Sequence, residues 1–392
     1  MRYVQDKRGR SISVLGYGCL RFSKKAGRID LDKAEEEILA AIRAGVNYFD
    51  TAYVYPGSEA ALGRILEKNR LRGQVMIATK LPHYLVKSRQ DLERLFQEEL
   101  RRLRTDYVDY YLMHMLTDVG TWERLLALGA GEWLEDKRRS GQILGAGFSY
   151  HGHTEAFQRL VDAYPWDICQ IQYNYLDERV QAGREGLEYA RAAGLPVIIM
   201  EPLRGGKLVN LLPKEARELI AGHPRRYSAA EWGLRWLWDQ EAVSCVLSGM
   251  NSLAMVEENC RIAGDTVPGQ LTPADFQLID KLREAVRAGT KAPCTACGYC
   301  MPCPKGVDIP GTFNCYNMLY AESKKAGRLD YLRCTAFRRN PSSASLCAGC
   351  GRCESRCPQG LPVRRLLKEA ASELETPYYK AARGLIRRFG LW

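Results

Sequence analysis

No stretch of the 392-residue chain reaches about 18 consecutive apolar residues, so no segment reads as a membrane-spanning helix. The opening residues Met1, Arg2, Tyr3, Val4, Gln5, Asp6 and Lys7 lack the apolar run of a secretory signal. The expectation is a cytoplasmic protein whose thiols stay reduced. No G-x-G-x-x-G loop follows an early strand; the nearest, Gly16-Tyr17-Gly18, has no third glycine in place. That argues against an open doubly wound dinucleotide fold. Lys and Arg are scattered rather than stacked, no nucleic-acid motif occurs and no flavin motif is legible. The net charge of +11 therefore reads mainly as a solvated basic surface, with some affinity for anionic cofactors or partners. Hydrophobic content of 46% is ample for a globular core, and the length suits about two domains.

Cysteine is what the chain has in excess, and it is concentrated late. Cys294, Cys297, Cys300 and Cys303 precede Pro304; Cys347, Cys350, Cys353 and Cys357 precede Pro358. Two C-x2-C-x2-C runs, each closed by Cys-Pro, are the pattern of two [4Fe–4S] clusters. Short spacings let one loop supply three thiolates, and the fourth comes from the Cys-Pro of the other run. By that crossing rule one cluster takes Cys294, Cys297, Cys300 and Cys357, and the other takes Cys347, Cys350, Cys353 and Cys303. The first run has only Met301 and Pro302 before its last cysteine, where three residues are usual. Two zinc sites would more often show paired doublets, and disulfides do not suit a reducing compartment. The isolated Cys19, Cys169, Cys245, Cys260, Cys315 and Cys334 read as small buried hydrophobes.

The first 290 or so residues alternate strand-like and helix-like runs. Strands are expected at Ile12–Gly16, Tyr48–Ala52, Val75–Thr79, Val108–Met113, Ile143–Phe148, Ile168–Tyr173, Val197–Met200 and Cys245–Leu247. Helical patterns lie between them, among them Leu31–Ala44, Arg89–Leu103, Thr121–Ser140 and Ala229–Gln240. Eight such alternations imply an α/β fold with a closed (β/α)8 TIM barrel. Chemistry in such barrels sits at the C-terminal strand ends. Asp50, Tyr55, Lys80 and His114 arrive there from successive strands. A Tyr hydroxyl near pKa 10 is a poor proton donor at neutral pH, but a neighbouring ammonium lowers that value. An Asp would hold the Lys, and a His beside the Tyr would orient a carbonyl oxygen. The set makes a general acid that protonates an oxygen as a hydride reaches its carbon.

The stretch Phe49-Asp50-Thr51-Ala52-x-x-Tyr55-x-Gly57-Ser58-Glu59, then Leu62-Gly63, resembles the aldo-keto reductases, as do the Lys80 and His114 strand ends and the late Glu258-Asn259. The resemblance covers about residues 1–285. It implies a catalytic tetrad of Asp50, Tyr55 as acid/base, Lys80 and His114; Tyr55 rather than Tyr53 stands five residues after the Asp. It also implies an extended NAD(P) cofactor near Ser149, Gln170 and Asn259 and the loop Ser248, Gly249, Met250 and Asn251. NADPH-using relatives carry cations where this chain has Gly249 and Met255, and many have Asn where it has Tyr150. The phrase from Cys297 to Pro310 resembles the tail of ferredoxin-fused members of that family. The 43 residues from Pro304 to Leu346 read helical, with Thr312–Ala326 and Leu329–Phe337 as candidates. This unit looks like the helical two-cluster ferredoxin domain of fumarate reductase iron–sulfur subunits.

The expected organisation is a barrel over 1–285, a small α-helical ferredoxin-like domain over 286–375 and a basic amphipathic tail over 376–392. Four basic residues among aromatics in that tail could touch a membrane surface, but docking on the protein or fraying is the favoured reading. Three functions remain open. The first is a carbonyl–alcohol oxidoreductase acting on a small molecule with hydride from a nicotinamide. The second is a nicotinamide-independent reductase fed single electrons through the clusters. The third is an electron-transfer subunit using the barrel as a docking scaffold. Hydride carries two electrons and a cluster one, so a flavin or substrate radical would have to lie between them if they exchange. A redox protein partner follows from the clusters.

Overall fold

The computed structural model describes residues 1–152, 154–336 and 340–389. The chain divides into two compact units: Met1–Pro202 with Gly233–Thr272, and Leu203–Trp232 with Pro273–Trp392.

In the first unit eight parallel strands close into a barrel. They are β1 (Leu15–Gly18), β2 (Tyr48–Asp50), β3 (Met76–Leu81), β4 (Val108–Leu116), β5 (Ile143–Tyr150), β6 (Ile168–Gln172), β7 (Val197–Met200) and β8 (Cys245–Ser248). Each pairs with its sequence neighbour, and β8 pairs with β1 through Val246 opposite Leu15. Buried on both faces, these strands read as continuous apolar runs instead of alternating ones. Tyr48, Tyr110, Leu112, Ile168, Ile198 and Cys245 belong to one buried cluster of the barrel. A hairpin of Tyr3–Gln5 and Ser11–Ser13 precedes β1. Its Asp6 accepts from the Tyr110 hydroxyl at 2.6 Å and from Arg10 at 2.8 Å, giving a buried phenol a partner.

Most strand ends shift by a few residues from the expected ones, and two elements differ more. The first strand is not Ile12–Gly16: Ile12 belongs to the hairpin and β1 begins at Leu15. The pattern Thr121–Ser140 is two helices, Val119–Ala127 and Ala130–Arg139. Gly129 separates them at φ 84°, a left-handed conformation that favours glycine and ends a helix.

In the second unit, Leu203–Trp232 and the helix Pro273–Gly289 group with the cysteine region. Arg225 and Asp275 join them by a two-pronged ion pair at 2.8 and 2.7 Å. The linker between the cysteine runs is helical at Ile309–Ala321 and Lys324–Thr335, each a few residues earlier than expected. The break falls where Ser323 caps the second helix, accepting from the Ala326 N–H. Phe337 lies outside the described residues. The final helix, Pro377–Phe389, packs into the same core through Tyr379 and Ile386. The Tyr379 hydroxyl lies 2.8 Å from Thr335 Oγ1 and 2.7 Å from Ser343 Oγ. The tail residues Gly390, Leu391 and Trp392 lie outside the described residues. Among the described residues no helix is long and apolar enough to cross a membrane.

Candidate active site and cysteine cavities

Four of the groups singled out at the strand tips come together at one end of the barrel. Asp50 ends β2 and Lys80 lies in β3, one strand over. Lys80 Nζ donates to Asp50 Oδ1 at 2.6 Å and to the Thr51 carbonyl at 2.7 Å. Both side chains are almost wholly buried, at 4% and 1% exposure, so little solvent screens the pair. Burial raises the Asp50 carboxyl above its usual range, while Lys80 and then Gln170 pull it back down. Lys80 Nζ lies 5.1 Å from the centre of the Tyr55 ring. The His114 ring meets that of Tyr55 edge-on, centres 6.0 Å apart. Burial, and next Lys80, hold the His114 imidazole well below its ordinary value. It is therefore neutral at pH 7, able to orient an oxygen but not to store a proton. Tyr53 is turned to Arg102, whose guanidinium lies 4.3 Å from its ring centre.

The short motif around Tyr55 has a structural basis. Ser58 Oγ bonds Thr51 Oγ1 at 2.8 Å and the Cys19 carbonyl at 3.0 Å, tying the Tyr55 loop to β1 and β2. Glu59, buried, accepts from Thr79 at 2.7 Å and Arg102 at 3.1 Å. A Cβ on Gly63 would stand 2.4 Å from the Leu103 backbone, so only glycine allows that approach.

Of the positions linked to a cofactor, Ser149, Gln170 and Ser248 lie in β5, β6 and β8, Gly249 and Asn251 follow β8, and Asn259 lies in the helix Leu253–Asp265. Gln170 Nε2 donates to Asp50 Oδ2 at 3.3 Å, while its buried Oε1 has no partner among the described residues. Ser149 Oγ accepts from the Met115 N–H at 2.8 Å. Asn259 Nδ2 donates to Ser248 Oγ at 2.9 Å. The Met250 and Asn251 carbonyls accept from Tyr17 and Ser23, at 2.5 and 3.3 Å. Tyr150 is buried, its hydroxyl bonded to the Thr117 carbonyl at 3.2 Å and its ring against Phe157. Sequence reasoning missed two residues. The carbons of Arg21 lie 3.2–3.3 Å from where a Cβ on Gly249 would stand. A cation thus reaches that loop from the turn after β1. Its Nη2 is 3.9 Å from Glu201 Oε1. His151, two residues past Ser149, feels the Lys80 charge and is held down to about 4, mainly by burial. The strand-end rule could have found it.

In the second unit the eight clustered cysteines line two cavities. Cys294, Cys297, Cys300 and Cys357 line one, of about 20 Å³. Cys303, Cys347, Cys350 and Cys353 line the other, of about 320 Å³, and Cys300 reaches both. Burial pushes the Cys300 thiol up to about 12, with Cys294, Cys297 and Cys357 adding to the rise. Among the described residues no three His, Cys, Asp or Glu close tightly enough for a single metal ion. Of the isolated cysteines, Cys19, Cys169, Cys245 and Cys315 are buried, but Cys260 and Cys334 are only half-buried. Cys315 and Cys334 are not isolated in space: their sulfurs are 3.8 Å apart, because the paired helices bring them together.

Residues 14–284, more than half of the chain, match the family model described as "Aldo/keto reductase family". The chain belongs to the aldo/keto reductase family. Residues 293–361 match a 4Fe-4S dicluster domain. The protein is thus an oxidoreductase of that family carrying a second, iron–sulfur type of domain. It is 26% identical over 273 residues to the L-galactose dehydrogenase of Arabidopsis thaliana, covering 64% of this chain and 84% of that one. It is 25% identical over 291 residues to the methylglyoxal reductase YeaE of Escherichia coli, covering 71% and 94%. A solved aldo/keto reductase from Klebsiella pneumoniae in complex with NADP and acetate shares the fold. It is 23% identical, with a TM-score of 0.59, over 72% of this chain and 95% of that one.

Proposed function

We propose that the barrel interconverts a carbonyl and an alcohol on a small molecule, with Tyr55 as the general acid and base. The observation that carries this reading is the buried Asp50–Lys80 pair beside Tyr55 and His114. Asp50 holds Lys80 in place. Lys80 stabilises the Tyr55 phenolate, easing loss of its proton to a substrate oxygen. Neutral His114 donates a hydrogen bond that orients that oxygen. A nicotinamide, when bound, supplies or accepts the hydride. Gln170, through its buried Oε1, which has no partner among the described residues, and Ser149 would hold its carboxamide end, and Ser248, Gly249, Asn251 and Asn259 its far end. Arg21 is the cation suited to its phosphates.

The two cysteine sets would hold two [4Fe–4S] clusters, partitioned as the two cavities are lined. Such clusters supply or accept electrons singly. A second reading has this unit feed the substrate directly while the same four groups handle protons. It is favoured by Gly249 and by Met255, which is 42% exposed, at places where a phosphate-binding cation would otherwise stand.

The discriminating experiment is anaerobic titration with NADH and NADPH while cluster absorbance is followed. Saturable nicotinamide binding, and carbonyl turnover abolished in Tyr55→Phe with iron intact, are expected. Absence of binding by either nucleotide would sink the first reading. Turnover surviving in Tyr55→Phe would sink the role of Tyr55 in both.

A further inference from the structure

The two cysteine cavities differ in electrostatic character. Among the described residues no charged side chain lines the first; Phe313, Leu361 and Val363 form part of its wall. Lys305, Arg352, Arg356 and Arg364 all line the second. All four are exposed, and Cys350 is the one exposed cysteine of the eight. Arg364 is committed to Glu354, at 2.8 Å through Nε and 2.7 Å through Nη2. Lys305, Arg352 and Arg356 make no ion pair among the described residues.

Offsetting the charge of four thiolates does not by itself require cations at the surface. Beside the first set the buried Arg204 donates through Nη2 to the Pro293 carbonyl at 2.9 Å, next to Cys294 in the chain. At the second set the cations stand in solvent around the most accessible thiol. An exposed ring of unpaired positive charge steers and orients a negatively charged protein far more than it stabilises its own fold. Electron transfer also favours close approach to an exposed centre. Cys300 and Ile309 line both cavities, so an electron arriving at the second set is next to the first.

We propose that the basic rim of Lys305, Arg352 and Arg356 around Cys350 is the docking surface for an acidic one-electron carrier protein of the ferredoxin or flavodoxin class. The proposal rests on reading the eight cysteines as cluster ligands. One electron leaves the reduced carrier, which is oxidised by one unit, and enters the group held by Cys303, Cys347, Cys350 and Cys353. No proton or atom is transferred in that step.

The test uses the full-length, anaerobically purified protein with measured iron content. A plant-type [2Fe–2S] ferredoxin, an acidic probe, is immobilised and binding is read at low and high salt. Wild type is expected to bind, with affinity falling as salt rises. R352E/R356E should bind at least about tenfold more weakly, through the on-rate. The charge-matched R43E/R70E pair, on exposed barrel positions, should bind like wild type. If R352E/R356E loses iron, R352Q/R356Q is read instead, with a weakening of at least about threefold expected. Wild-type binding that is absent or insensitive to salt overturns the proposal. So does unchanged binding by an iron-replete rim variant. Binding to phosphatidylserine vesicles without binding to the ferredoxin also overturns it, in favour of a lipid surface. Wild-type iron far below about eight per chain overturns the cluster reading itself, whatever the binding result.

Discussion

Replacing Lys80 by Met removes one partner of a buried ion pair and leaves the other in place. Asp50 would keep only the 3.3 Å hydrogen bond from Gln170 in a site from which water is excluded. Breaking a buried pair in this way costs about 3–5 kcal/mol. For a domain of this size that is a fall in melting temperature of roughly 6–20 °C, at about 2–4 °C per kcal/mol. The pH dependence gives the sharper signature. Burial already raises the Asp50 carboxyl, and losing Lys80 removes the largest opposing effect. The folded variant therefore keeps a proton that the unfolded chain releases above about pH 4. Unfolding then becomes easier as pH rises, by up to about 1.4 kcal/mol per unit until the raised folded value is passed. Calorimetry at pH 5 and 8 should show a deficit that grows with pH. Asp50→Asn combined with Lys80→Met should recover much of it, since neither charge then remains buried alone. A Lys80→Met melting point equal to wild type at pH 8, or strictly additive single and double variants, would refute the reasoning. Carbonyl turnover in Lys80→Met should fall by about 10²–10⁴, the usual worth of general acid–base catalysis.

Three further outcomes follow from other sites. Glu99 is fully buried and held well above the normal carboxyl value by burial, with the Glu59 charge next; it accepts from Tyr111 at 2.6 Å. Wild type should therefore lose stability relative to Glu99→Gln as pH climbs above about 4.3, by up to about 1.4 kcal/mol per unit; parallel denaturation curves from pH 5 to 8 would exclude this. Cys357→Ser and Cys294→Ser, which line one cavity, should together lose no more iron than either alone, about four atoms of about eight. Cys357→Ser with Cys350→Ser should lose both sets, and retention of about four iron atoms there would reverse the partition. Arg21→Met should weaken NADPH binding about tenfold more than NADH binding, the worth of one charge-assisted phosphate contact; equal effects in fluorescence titration would free Arg21 of that role.

Much of the barrel was legible because its signals are local. Parallel strands buried on both faces produce apolar runs, and their period with the intervening helices is long and regular. The expected start of β1 differs because the hairpin strand holding Ile12 and the barrel strand are both short and separated only by Val14, so they run together as one stretch. The helix expected over Thr121–Ser140 was read as continuous because its apolar spacing runs through Gly129, whose left-handed backbone is a tertiary choice. The tail helix lacks a strong intrinsic tendency; Tyr379 and Ile386 acquire their places by packing.

From sequence alone came the set of chemical groups: Asp50, Tyr55, Lys80 and His114 at strand tips, and eight cysteines at spacings that suit a cubane. Those depend on residue type and interval along the chain, which a sequence states directly. What only the tertiary structure decided is which groups meet and how each is tuned. It turned Tyr53 away to Arg102 and left Tyr55 beside Lys80 and His114. It brought Arg21 against Gly249 from more than two hundred residues away. It paired Cys315 with Cys334, and surrounded one cysteine cavity with apolar walls and the other with arginine. Charge and burial act through space, so their effect at a site depends on neighbours that no interval along the chain specifies.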